Sequence, residues 1–175
     1  MTDHTDSPRE QVSRDWLITD NHVHLCDATR LEELVEYTTR YRLTRIGLIS
    51  LPVPEVVHFN PEVLAAKLVL DGPIALDALG SFDNLALLLQ RPGDWNPAAQ
   101  VEQLDQFGFD GIKMWEGKPE LQARLGVSTD DPRLVEAYQE AGRRDIPILS
   151  HIADPQEFWT MTGGPWSYAD RPDVP

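Results

Sequence analysis

Two histidines one residue apart, His22 and His24, stand in the segment TDNHVHL. Side chains two apart on a β-strand leave the same face, so at the C-terminal end of a strand two imidazoles would meet and grip one metal ion. The spacing also suits two polar residues on an exposed strand end. A third histidine, His151 in PILSHIADP, ends another strand-like run, where a barrel would aim it at the same mouth. Alone, such a histidine is more often a hydrogen-bonded core residue; three at matching strand ends make a site. Trp115, Glu116 and His58 lie at or just beyond strand ends. Trp115 and His58 are the candidates for substrate contact, although aromatic and charged loop residues are commonly plain rim.

The elements that must carry these residues follow from the rhythm of the chain. Short runs rich in branched apolar residues alternate with helical patterns at intervals of about thirty residues, the signature of βα units around a parallel sheet. Five strands are expected, at Trp16 to Leu25, Arg45 to Leu51, Ile74 to Phe82, Phe109 to Trp115 and Ile146 to Ile152. Asn-Pro or Asp-Pro marks four helix starts, at Asn60, Asn96, Asp131 and Asp154, since the first residue caps and the proline is already fixed near helical φ. A further helix is expected over Leu31 to Tyr41, with Leu31, Leu34 and Val35 on one side. In the helix after Asp131, Leu134, Tyr138 and Ala141 share a core face, and Arg143 and Arg144 complement its negative end. Such units close into a barrel or spread into an open sheet. No glycine-rich phosphate turn follows the first strand; DNHVHLCDATR stands there instead, which favours a (β/α)8 barrel with a metal, of which about five βα units are present.

Composition narrows the partners. The 175 residues carry a net charge of −14, which repels nucleic-acid phosphates and anionic lipid. No apolar run approaches the ~18 residues of a membrane span. Cys26 is the single cysteine and cannot form an internal disulfide, so a reducing cytoplasm is expected. Residues 1–15 read as a polar tail and 16–175 as the barrel domain.

The sequence resembles the amidohydrolase superfamily, in particular the amidohydrolase-related (family 2) group that includes the aminocarboxymuconate-semialdehyde decarboxylase-like enzymes. ITDNHVHL fits the D-x-H-x-H first-strand motif with Asp20, His22 and His24; FGFDGIKMW looks like the G-x-K segment of the fourth strand with Lys113; IPILSHIADP looks like the fifth-strand histidine motif with His151. The resemblance runs from about Trp16 to Pro155. It implies a divalent ion, commonly zinc, held by His22, His24 and His151 beside an activated water. It also implies a catalytic role for Lys113, which in binuclear relatives is carboxylated and bridges two metals and in single-metal relatives faces substrate or is structural. The family's sixth-strand histidine and eighth-strand aspartate would fall beyond Pro175, so the chain is expected to be the N-terminal portion of a larger barrel.

The expected activity is hydrolysis of C–N or C–O bonds in a small organic substrate. The rivals are nonoxidative decarboxylation by the same cage, and an inactive partial barrel acting as an interaction module. Lys113 is expected to point inward, with Ile112 and Met114 facing the helices. An open five-stranded sheet is expected to self-associate through its unpaired edges.

Overall fold

In the computed structural model, which describes residues 17–25, 31–51, 60–70 and 74–151, the branched apolar runs form β1 (Ile18–His24), β2 (Leu43–Ile49), β3 (Ala75–Ser81), β4 (Gly111–Met114) and β5 (Ile148–Ser150). They lie side by side in sequence order, and each neighbouring pair is parallel. The result is an α/β fold whose five-stranded sheet curls into a half-barrel. Parallel neighbours require crossovers, and helices supply them: α1 (Leu31–Tyr41), α2 (Asn60–Leu70), the short α3 (Leu85–Leu88), α4 (Pro97–Phe107), α5 (Pro119–Leu125) and α6 (Pro132–Arg143). No described helix is long and apolar enough to cross a membrane.

The expected starts at Asn96 and Asp131 are real caps. The Asn96 side chain accepts from the Ala99 N–H at 3.0 Å, and that of Asp131 from the Arg133 N–H at 2.9 Å. Asn60 behaves differently. Its amide bonds the main chain of Ser81 in both directions, at 2.9 and 3.0 Å, tying the start of α2 to the end of β3. The start at Asp154 and the tail over residues 1–15 lie outside the described residues. On α1, Leu34 and Thr38 face the core while Val35 is exposed, because Val35 is 100° round the helix from Leu34 and off the buried stripe. Two short helices, α3 and α5, break the expected single-helix crossovers.

Alternation along the strands separates two faces. Ile46, Leu48, Leu76, Ala78, Ile112 and Met114 belong to the core shared with the helices. The opposite, concave face carries Arg45 and Asp77, joined at 2.6 Å, and in register with them Gly47, Ile49, Leu79, Gly111 and Lys113. The lysine thus points inward, as its flanking residues required. Two glycines permit close approaches that position the site. A Cβ on Gly47 would lie 2.8 Å from the Asn21 carbonyl oxygen of β1, and one on Gly117 would lie 1.8 Å from the His151 oxygen.

Candidate functional site

The last residues of β1 turn two imidazoles toward each other. His22 Nε2 and His24 Nε2 are 3.1 Å apart, their rings edge to face. The β1–β2 pairing is irregular between Asp20 and Val23, and His22 and His24, two residues apart, leave the same face of β1. Asp20 fixes this end of the strand: one carboxylate oxygen accepts the His22 main-chain N–H at 3.0 Å and the other accepts the Tyr37 hydroxyl of α1 at 2.6 Å. Those two bonds hold the Asp20 carboxyl below its usual range. Tyr37 carries no local motif, and its part here was not legible in the sequence.

Although both histidines are exposed, loss of solvent and then the neighbouring positive groups hold His24 down at about 4. His22 is lowered by the same desolvation and by Lys113. Both rings are therefore neutral near pH 7. Two neutral nitrogens facing across 3.1 Å must share one N–H, or present both lone pairs to a cation.

Lys113 rises from β4 with only 1% of its surface exposed, and its ammonium sits 5.0 Å from the centre of the Trp115 ring. Burial and the nearby Lys118 push its pKa down. The Lys118 ammonium lies 5.5 Å from the same ring. The indole is the hub of the site: His24 tilts against it at 5.5 Å, His151 stacks on it at 5.8 Å, and its N–H donates to the Ser50 carbonyl at 3.3 Å. The structure thus brings His22, His24, Lys113, Trp115 and His151 into one neighbourhood at the C-terminal ends of β1, β4 and β5. His58 lies outside the described residues.

Below this layer Glu116 is 1% exposed. Its carboxyl accepts from Asn84 Nδ2 at 2.6 Å and from the Trp115 main-chain N–H at 2.9 Å, while burial pushes its pKa up. Asn84 Oδ1 is buried without a donor. Glu116, expected just beyond the end of a strand as a pocket-lining or plain surface residue, is a buried brace under the Trp115 turn, because the β4 end is covered by the segment carrying Asn84.

Compared with protein-family models, curated proteins and solved structures, the chain matches none. The reading of the site therefore rests on its own geometry. The His22–His24 separation fits two ligands of one zinc ion, since bonds of about 2.05 Å at tetrahedral angles set nitrogens about 3.3 Å apart. Neutral imidazoles are also the right donors. Among the described residues, however, no three His, Cys, Asp or Glu side chains are placed to hold a metal. His151, expected to converge with the pair, is engaged by the Trp115 ring.

Proposed function

We propose that this chain carries the metal-binding half of a (β/α)8-type hydrolase resembling the amidohydrolase superfamily, acting on C–N or C–O bonds of a small organic substrate in the cytoplasm. The observation that carries the reading is the opposed pair of neutral imidazole nitrogens, 3.1 Å apart, at the C-terminal end of the first strand of a parallel sheet. That end is where enzymes of this architecture place their chemistry.

In this reading His22 and His24 are two of the ligands, and His151 is the third once its ring leaves the Trp115 face. A zinc ion held there would bring the pKa of a coordinated water down toward neutrality and would polarise a scissile carbonyl. The chain's own residues prepare for it. Desolvation keeps the imidazoles unprotonated, the Tyr37–Asp20 bond fixes the His22 main chain, and Lys113 offers a cation to oxygen that gains charge as a carbonyl is attacked.

Zinc titration against a chromophoric chelator tests the reading, with turnover of a panel of lactones, esters and amides as a second readout. One equivalent of zinc should bind. His22→Ala and His24→Ala should each weaken it by at least about 100-fold, the upper range for removing mere supporting contacts. Unchanged zinc affinity in both variants would sink the reading; unchanged affinity in His151→Ala alone would remove only the third ligand.

A further inference from the structure

Away from the histidines, α2 and α4 flank a cavity of about 400 Å³, the size of sites that take small organic ligands. Side chains crossing from helix to sheet hold it open. Near the starts of the two helices the Asn60 amide bonds the Ser81 main chain, and the Gln100 amide bonds that of Asp83, accepting its N–H at 2.6 Å and donating to its carbonyl at 3.0 Å. Near their ends Lys67 of α2 reaches the Gly108 carbonyl, just past α4, at 3.1 Å, and pairs with Asp110. These bonds fix both helices and leave the gap between them preformed.

Between the clamps the lining is apolar: Pro61 and Leu64 from α2, Leu104 and Phe107 from α4, and Phe109 before β4. Leu104 and Phe109 are buried, whereas Phe107 keeps 68% of its surface exposed. A lone exposed phenylalanine is ordinary; one that lines a preformed cavity offers a ring for a ligand to cover. Asp83 is the one charged residue among the described lining. One of its carboxylate oxygens accepts the Leu85 N–H at 2.8 Å. Among the described residues the other oxygen takes no hydrogen bond and no basic side chain pairs with the acid. A carboxylate in a mostly apolar cavity favours a cation, and the net charge of −14 adds to that attraction. Gln100, which holds Asp83, and Phe107 stand two turns apart on α4, about 10 Å along the helix, so a ligand that meets both ends needs a charged group and an apolar body separated by a short chain.

We propose that the cavity between α2 and α4 binds a small organic ammonium ion with an aromatic end, its nitrogen on the Asp83 carboxylate and its ring against Leu64, Leu104 and Phe107. The site shares no residue with the histidine cluster and is independent of zinc.

Calorimetric titration of the full chain at fixed ionic strength and pH 7 tests the site with three probes of one shape: 4-phenylbutylamine, which is a cation, the neutral 4-phenylbutanol and the anion 4-phenylbutanoate. The amine should bind more tightly than the alcohol, and the alcohol more tightly than the anion. Asp83→Asn keeps an acceptor for the Leu85 N–H; it should weaken the amine by about five-fold, the size of a partly exposed charged contact, and leave the alcohol unchanged. Phe107→Ala should weaken amine and alcohol alike by about five-fold, as loss of an aromatic contact does. Glu136→Gln, an exposed acid of α6 outside the lining, should change neither, which separates the site from the general pull of an acidic surface. The amine should also shift the side-chain amide resonances of Gln100 and Gln103. If Asp83→Asn lacks the cooperative melt of the parent chain, the parent's preference for amine over alcohol and the Phe107→Ala titrations decide. Equal binding of amine and alcohol, an amine affinity that neither Asp83→Asn nor Phe107→Ala lowers, shifts confined to the His22 and His24 rings, or no binding of any probe would overturn the proposal.

Discussion

At the scale of single residues, Glu116 is the group whose environment makes the sharpest demand. Its carboxyl has a raised pKa in the folded chain because it is buried, whereas in the unfolded chain it titrates at its ordinary value. Between those two values the folded state holds more protons, so the contribution of Glu116 to stability is greatest below the unfolded pKa and is lost as pH rises through the folded pKa. Glu116→Gln is neutral at every pH. Its amide NH2 can donate to Asn84 Oδ1 once that amide rotates, and its oxygen can still accept from Trp115. Thermal melts should therefore show this variant gaining on the parent chain as pH is raised from about 4.5 to 8, and a constant difference would argue against a buried carboxyl. Glu116→Ala leaves the Trp115 N–H and the Asn84 amide without partners and should cost about 1 to 3 kcal/mol. At β1, Tyr37→Phe removes the hydroxyl that Asp20 accepts. It should weaken zinc by about ten-fold or more, as loss of a supporting contact does, while leaving the fold intact by circular dichroism.

At the scale of elements, the caps and the glycines carry the testable content. Asp131 and Asn96 each satisfy a free N–H at the start of a helix, and replacing either with Ala should cost about 1 kcal/mol by denaturant unfolding. Asp131 should not exceed Asn96 by much, since its partly exposed pairing with Arg133 adds little. Gly117 answers to a different constraint. A methyl group there would overlap the His151 carbonyl at 1.8 Å, and the obstacle is backbone that cannot rotate away. Gly117→Ala should cost about 3 kcal/mol, the upper range for overpacking, and should shift the indole resonance of Trp115 as β5 is pushed from β4. A wild-type indole shift in that variant would mean that Gly117 does not set the His151–Trp115 stack.

At the scale of the whole molecule, the five-stranded order β1 to β5 leaves the outer sides of β1 and β5 without a described partner strand. Unpaired strand edges recruit other chains. The concave face is less apolar than an interior barrel wall, for Arg45, Asp77, Gly47, Gly111 and Lys113 interrupt Ile49 and Leu79. Water at that face therefore costs less than an all-aliphatic face would. Among the described residues both outer edges lack a partner strand, and sedimentation velocity should find dimers or larger species. The net charge of −14 opposes association most at low ionic strength, so raising salt from about 50 to 500 mM should increase the associated fraction as the Debye length shrinks from about 14 to 4 Å. A monodisperse monomer at both salts would contradict this.

What the sequence determined by itself is what depends on near neighbours along the chain. The positions of the strands along the chain, the two caps at Asn96 and Asp131, and the inward direction of Lys113 between Ile112 and Met114 follow from period, cap chemistry and alternation, which act within a few residues. The same local rule set His22 and His24 on a common face. Only tertiary structure decided the rest, because it depends on which residues the crossovers bring together. The helix start at Asn60 is local, but its amide also serves Ser81, 21 residues away, which no local pattern encodes. Asp20 finds Tyr37 from the next helix, Glu116 is buried by Asn84 from the previous crossover, and His151 meets Trp115 where the β4 and β5 ends converge. The two lysines are five positions apart in sequence, but the strand end and the turn after it must bend back over one indole before they share it. No periodicity records that bend, since the close approach of Gly117 to the His151 main chain is a property of the packed sheet.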